Sequence, residues 1–573
     1  MNDIRRTILW VIFGFSMVLL WDQWQIHSGH KATFFPGQPV KTEAAAPTTA
    51  KTAASDASVP GSAVVAPAPL PSATPADGAT PAAPSQRFTV NSDVLTLRFD
   101  TQGGTLVGSE FLKYGDTANQ AKHFVLLDDS KDRVYLAQSG VVSGAVPGAF
   151  PTHKTPMTVS GPRELKEGTD SLQIRFESAD VGGIKLVKTY TVKRGSYAVA
   201  VSHALTNTTG APIAPQLYVQ LVRDGNKPVG ESAFYATFTG PAVYTDAQKY
   251  QKVEFADIKK KSATYEKQSA DGYVAMVQHY FASAWILPAG MQRTISLDAV
   301  ELGGGVADCC YRAALVAPLE AIAPGATRTV ETTFFVGPQE EKMLEALAPG
   351  LELVKDYGWL TILAKPLYFL LDYIHSVLKN WGWSIVGLVL LLKIAFYWLN
   401  AKAYSSMAKM KAVNPKITEM RERLKDNPQQ MQQEMMRIYR EEKVNPMGGC
   451  FPIMVQIPVF IALYWVLLSS VEMRNAPWMG WIHDLSAPDP YFILPVIMTL
   501  TTMLQTALNP APPDPLQAKM MWFMPLAFSV MFFFFPSGLV VYWITNNILS
   551  IAQQWLINTR MGVPPQFNLP SFK

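Results

Sequence analysis

Apolar and polar positions follow several distinct rhythms along this chain, and the changes between them mark its parts. A solid apolar run, Thr7–Trp21, follows Arg5 and Arg6 and ends in bulky "WDQW" rather than a small-x-small cleavage site. Residues 1–24 read as a retained signal-anchor helix more than as a cleaved signal peptide, with the arginines holding the start in the cytoplasm. Residues 25–86 turn to Ala, Pro, Thr and Ser from Lys41 onward. Such a stretch buries too little apolar surface to fold and is expected to be a disordered tether.

From Arg87 the rhythm becomes period two. "DVLTLRFDTQGGTLVGSEFL" reads as strand, Gly-Gly turn, strand; "IKLVKTYTVKRGSYAVAVSHALTN" repeats the scheme, and "RTVETTFFVG" closes the set. Many strands with regular turn signals predict an all-β sandwich over 87–345, ending in a short helix, "PQEEKMLEAL". In 356–380, Leu360, Leu363, Leu367, Leu371, Ile374 and Leu378 recur at helical steps, broken by Lys365 and Asp372. That pattern predicts an amphipathic helix on the membrane surface, or else one packed on the sandwich. Five apolar runs follow, near 383–400, 450–470, 491–508, 520–536 and 538–556, forming a helical core over 383–556. The loop 402–449 is strongly basic and falls inside by the positive-inside rule. The 471–490 loop, with one arginine and no lysine, falls outside, and the tail 557–573 falls inside. The fold class is therefore a multi-domain membrane protein: a periplasmic β-sandwich, an N-terminal anchor, and a five-span α-helical core carrying a cytoplasmic helical hairpin.

Composition agrees. Charged residues make up 16% of the 573 residues and aromatics 11%, and the net charge of +4 does not suggest nucleic acid. The three cysteines give no disulfide scaffold, since adjacent Cys309 and Cys310 could pair only in a strained ring. No metal-ligand or catalytic spacing appears, so neither a cofactor nor an enzyme is expected.

Polar residues in the spans share one depth. Lys393 lies past the middle of an inward-running span, with Tyr397 and Asn400 at i+4 and i+7. Gln456 comes early in an outward-running span, and Thr501, Thr502 and Gln505 come late in an inward one. In the last span Trp543, Asn546, Ser550 and Gln553 form a stripe, with Asn547 and Gln554 beside it. The 520–536 span carries only Ser529, and its Phe532 is expected to stand apart from any site. Each polar group could be separate helix–helix glue, with Lys393 snorkelling to the inner surface. A matched depth across spans of opposite direction favours a water-filled cavity open to the cytoplasm. It also accounts for a lysine that costs roughly 2.5–3.5 kcal/mol at the centre of a membrane helix. Lys393, Tyr397, Gln456, Thr501, Gln505, Trp543, Asn546, Asn547 and Ser550 are the candidate lining. A channel needs polar groups through the full depth, and a transporter usually shows internal repeats. A half-depth groove suits a segment that enters from the cytoplasm and leaves sideways into lipid.

In the basic loop, Met407, Met410, Ile417, Met420 and Leu424 fall near heptad spacing. Asn427 is placed to cap a second helix starting at Pro428, with Met431, Met435 and Ile438 on its apolar face. The hairpin methionines Met407, Met410, Met420, Met431 and Met435 are candidates for adaptable contact with a partner, or simply hold the two helices together.

The stretches "NWGWSI", "YSSMAKMKAVNPKITEMRERL", "EKVNPMGGCFPIMVQIPVFIALY", "WIHDLSAPDPYFILP" and "FPSGLVVYWITNN" resemble the YidC/Oxa/Alb family of membrane protein insertases, in its Gram-negative form with a large periplasmic domain. The resemblance covers the whole chain. It implies an inner-membrane insertase and chaperone acting on nascent membrane proteins, alone or with Sec translocon components, with the ribosome or targeting factors as further partners. The family's groove cation is typically arginine; Lys393 keeps the charge and loses the bidentate fork. The competing reading is a periplasmic glycan-binding or carbohydrate-active envelope protein using the sandwich.

Overall fold

The structure, a computed structural model, describes residues 59–60 and 85–567 apart from 117–118, 120, 144–148, 229–236, 302–309, 425–426, 443–450, 510–514, 561 and 563–566. The predicted anchor, nearly all of the linker and most of the tail lie outside the described residues.

The period-two region folds as two antiparallel sheets of ten and nine strands. The Gly-Gly turn joins strands Leu95–Asp100 and Thr105–Gly115, with Gly103 and Gly104 at φ 68° and 59°. A Cβ on Gly103 would stand 2.2 Å from the His153 carbonyl oxygen, so the turn needs glycine there for space as well as for backbone angle. Ile184–Lys193 and Ala198–Asn207 pair antiparallel and alternate buried with half-buried residues, as their sequences predict. Pro215–Asp224 is buried at every position, and no alternation marks it. It sits mid-sheet between Val134–Ser143 and Cys310–Pro318, covered on both faces. Cys310 is disulfide-bonded, its partner lying outside the described residues.

The helices are α1 (Phe255–Lys259), α2 (Glu341–Leu347), α3 (Thr361–Leu378), α4 (Trp381–Ala395), α5 (Tyr397–Arg423), α6 (Pro428–Glu441), α7 (Phe451–Ser469), α8 (Ile493–Leu508), α9 (Pro515–Met531) and α10 (Ser537–Arg560). Helix α10 is the hub, packing on α4, α5, α7 and α8, whereas α9 packs on α8. Among the described residues no single helix is long and apolar enough to cross a membrane; α4 together with Tyr397–Met407 is, but bent by 68°. The predicted 383–400 helix is thus two helices. At Phe396 the backbone turns to φ −92°, ψ 10°, with neither proline nor glycine at the break.

Sandwich and helices are locked together. Val471, just past the C-terminal end of α7, is fully buried in the sandwich core. The Arg474 guanidinium lies 5.2–5.8 Å from the ring centres of Phe124, Tyr280 and Phe281, and donates to the Gly115 carbonyl at 2.6 Å. Fully buried Lys355 binds Glu472 at 3.0 Å, and Tyr368 donates to the same carboxylate at 2.6 Å. On α3, Lys365 meets Glu345 at 2.9 Å, with Glu352 and Glu341 at 3.6 and 3.7 Å. Helix α3 therefore packs on the sandwich side, the second of the two readings. One side is ion-paired to the segment that closes the sandwich, while Ile362, Tyr373 and Val377 are exposed as an apolar face.

Candidate functional site

The bend at Phe396 builds the site. Straight continuation would place Tyr397 and Asn400 on the face of Lys393. Instead Tyr397 turns outward, 37% exposed, and lines neither cavity described below, contrary to the face predicted for it. Asn400, Tyr404 and Met407, at helical spacing along α5, swing under the bundle and line its opening.

A cavity of about 400 Å³ lies between α5, α7, α8 and α10. Gln456, Gln505, Trp543, Asn546, Asn547 and Ser550 of the predicted set line it. Lys393 lines an adjoining space of about 40 Å³ that shares Asn400, Gln456, Tyr542 and Asn546 with the larger one. The Lys393 ammonium is buried and donates to Ser550 Oγ at 2.7 Å. Gln456 Nε2 donates to Asn546 Oδ1 at 2.9 Å across α7 and α10. Asn547 Nδ2 donates to Thr502 at 2.9 Å and Thr501 at 3.2 Å, so Thr501 holds a lining residue without itself facing the cavity. Trp543 forms an apolar wall, edge-on to Phe460 at 4.7 Å between ring centres. Phe532 does not stand apart: it is buried, with its ring 4.9 Å from Trp543.

Among the described residues the lining holds one cation, several amides and hydroxyls, and no carboxylate, histidine or cysteine. Such a surface hydrogen-bonds with polar chain and accepts anionic groups.

The hairpin methionines divide. Met410, Met420, Met431 and Met435 pack with Val413 and Ile417 in the seam between α5 and α6, and Met407 lines the cavity. Asn427 caps α6 with Pro428 in its first turn, as predicted. The sequence reading missed Tyr404 and Thr506 as lining residues, whereas Asn509, at the end of the polar run Thr501, Thr502 and Gln505, does line the cavity. Asn400, Tyr404 and Met407 do share a helical face, a signal usable only once the break is located.

Among the described residues, a β-sandwich is fixed to a helical bundle that brings one cation, amides and hydroxyls into two adjoining cavities. Residues 87–370 match the YidC periplasmic domain family, and residues 373–563 match the 60Kd inner membrane protein family. The membrane protein insertases YidC of Cupriavidus necator and Ralstonia nicotianae are 52% identical over 562 residues and 54% over 564, each covering 98% of both chains. A crystal structure of an active YidC insertase with its first transmembrane domain resolved is similar at 18% identity and TM-score 0.37, covering 82% of this chain and 92% of that one. The chain belongs to the YidC family of membrane protein insertases. That membership takes the insertase reading ahead of the glycan-binding one, and the class is not enzymatic.

Proposed function

We propose that this inner-membrane insertase works through the cavity beneath the α4–α5 bend. It receives the polar part of an incoming membrane protein from the cytoplasm while the apolar segment passes sideways into lipid. The supporting observation is that the two spaces adjoin through Gln456 and Asn546, with Lys393 of the smaller one bonded to Ser550 of the larger. In this reading the five predicted spans cross the membrane, the sandwich lies in the periplasm, and both chain ends lie in the cytoplasm. A hydrated half-depth site lowers the cost of carrying polar chain through the inner leaflet. The exposed, basic hairpin is the first contact for a nascent chain, ribosome or targeting factor, and Sec components are partners for longer clients.

The test is a cysteine at Asn546 or Trp543, crosslinked to a client segment arrested during insertion. Phe528 on α9, 55% exposed and away from the cavity, is the comparison. Positions 543 and 546 should crosslink and 528 should not. In the same assay Lys393→Glu should lower insertion of clients with acidic translocated tails by about tenfold, equivalent to 1.4 kcal/mol, while Lys393→Arg should retain it. Equal crosslinking at all three positions would remove the cavity from the mechanism.

A further inference from the structure

Val59 and Pro60 belong to the stretch read as a free tether, yet Pro60 is buried and Val59 half-buried. Val59 packs against Val142, Tyr218 and Val316. These three stand side by side on the outer face of the ten-stranded sheet. Tyr218 is in register with Gly140 on one neighbouring strand and with Val316 on the other. The alternate residues Leu217, Val219 and Leu221 point the other way, into the core between the sheets. The aromatic floor is built in advance. A Cβ at Gly140 would stand 2.6 Å from the Tyr218 hydroxyl oxygen, so glycine is what lets the ring lie across that strand. His153 fixes the ring's far end, its Nδ1 2.7 Å and its backbone N–H 3.0 Å from the Tyr218 oxygen.

Proline sets its own φ and biases the residue before it towards extended backbone. A segment already extended enters an aromatic-floored site at small entropic cost, the principle behind proline-rich peptide recognition. Val59 supplies the branched apolar side chain amid Ala, Ser and Asp.

We infer that the outer face of the ten-stranded sheet is a binding site for an extended Val-Pro segment, and that its occupant is this chain's own linker, latched at Val59–Pro60. Only 24 residues, 61–84, separate the latch from the first described residues of the sandwich. A connection of that length gives an effective concentration in roughly the millimolar range. A site too weak to hold a free peptide is therefore filled in cis. The latch shortens the working tether. From the end of the predicted anchor, residues 25–86 number 62, whereas 25–58 number 34. At about 5–6 Å × √n, mean reach falls from about 43 to about 32 Å.

The test uses the full-length chain in native membranes, with a small diazirine side chain at position 59 and, separately, at position 47. After irradiation and digestion, position 59 should give intramolecular adducts on the strands carrying Val142, Tyr218 and Val316, and position 47 should not. Pro60→Asp, with the probe kept at 59, should cut those adducts about tenfold, since a carboxylate is costly to bury there. The change lies outside the strands, so the sandwich keeps its fold. Similar adducts from 47 and 59, or adducts indifferent to Pro60→Asp, would overturn the latch. Adducts to a second copy or to another protein would overturn it as well, by assigning the face an occupant in trans.

Discussion

Lys188 and His203 are residues that the alternation of their strands already turned inward. In Ile184–Lys193 the buried positions are Ile184, Leu186, Lys188, Tyr190 and Val192, so the sequence places a lysine in the sandwich core. What the sequence does not encode is how that is tolerated. Lys188 Nζ donates to the carbonyls of Ser139 and Gly103 at 2.6 and 2.7 Å, and His203 Nε2 lies 3.0 Å from Ser139 Oγ. Those partners come from the opposite sheet, and no local pattern announces them. Burial, with Lys188 as neighbour, pushes His203 down to about 3. Burial likewise pushes His279 down to about 4; its Nε2 lies 2.9 Å from the Leu468 carbonyl, which accepts from it. Both histidines thus bind fewer protons folded than unfolded across the interval between these values and the ordinary 6.5. Their favourable contribution is complete above 6.5 and is lost progressively as pH falls towards 4 and then 3. The sandwich should therefore lose thermal stability between pH 7 and pH 5, with a limiting slope of about 1.4 kcal/mol per pH unit for each histidine. His279→Gln keeps a donor for Leu468 and should reduce the slope. A melting temperature flat over that range would contradict the assignment of neutral histidines.

At the scale of elements, existence was more legible than shape. Helices lie at the apolar runs, the first of them broken at Phe396, and the Asn427–Pro428 helix start and the strand–turn–strand units appear where their patterns put them. The 68° bend does not, because "LLKIAFYWLN" carries no helix breaker. The break is stabilised from another helix. Gln553 of α10 donates to the Lys393 carbonyl at 3.1 Å, beside the residue where α4 ends, and accepts from Asn400 Nδ2 of α5 at 3.2 Å. One side chain thus spans both sides of the bend, a tertiary cause for a kink that no local residue explains. Because the cavity's opening is lined from α5, Gln553 sets the site's shape without lining it. Gln553→Leu should leave both partners unpaired and cost about 1–3 kcal/mol of bundle stability. Gln553→Glu retains an acceptor for Asn400 but loses the donor to Lys393, separating the two contacts. Spin labels at positions 386 and 407 should report a changed distance in the Leu variant. An unchanged distance and unchanged stability would mean that packing alone holds the bend.

At the scale of the whole molecule, the sequence divided sandwich from bundle at 345 and 356, and the interactions divide them differently. The segment that closes the sandwich buries Leu344, Leu351 and Val354 in the sandwich core and sends its charges to the bundle. Lys365 of α3 faces Glu341, Glu345 and Glu352, and Tyr357 donates to Glu341 at 2.6 Å. Lys355 is fully buried against Glu472, whose carboxylate is 15% exposed. Long-range pairs of this kind leave no periodic trace, so period alone puts Glu341 and Glu345 with the sandwich and Tyr357 and Lys365 with the following helix. Removing one partner of a buried pair costs about 3–5 kcal/mol, less where water still reaches the other, as at Glu472. Two deletions follow. Removing 87–338 takes away the Arg474 box and the His279 contact but keeps α2 and Lys355; the bundle should assemble, and insertion of short clients should stay within about threefold, under 1 kcal/mol. Removing 87–357 leaves Lys365 and Glu472 without these partners. It should lower bundle stability by several kcal/mol and insertion by more than about tenfold. Glu472→Gln in that shorter chain should recover part of the stability, because it removes the buried charge while keeping an acceptor for Tyr368. Equal insertion by both deletions would mean the ion pairs only orient the sandwich. Loss of insertion on removing 87–338 from a bundle that still melts normally would mean the sandwich itself takes part in the reaction.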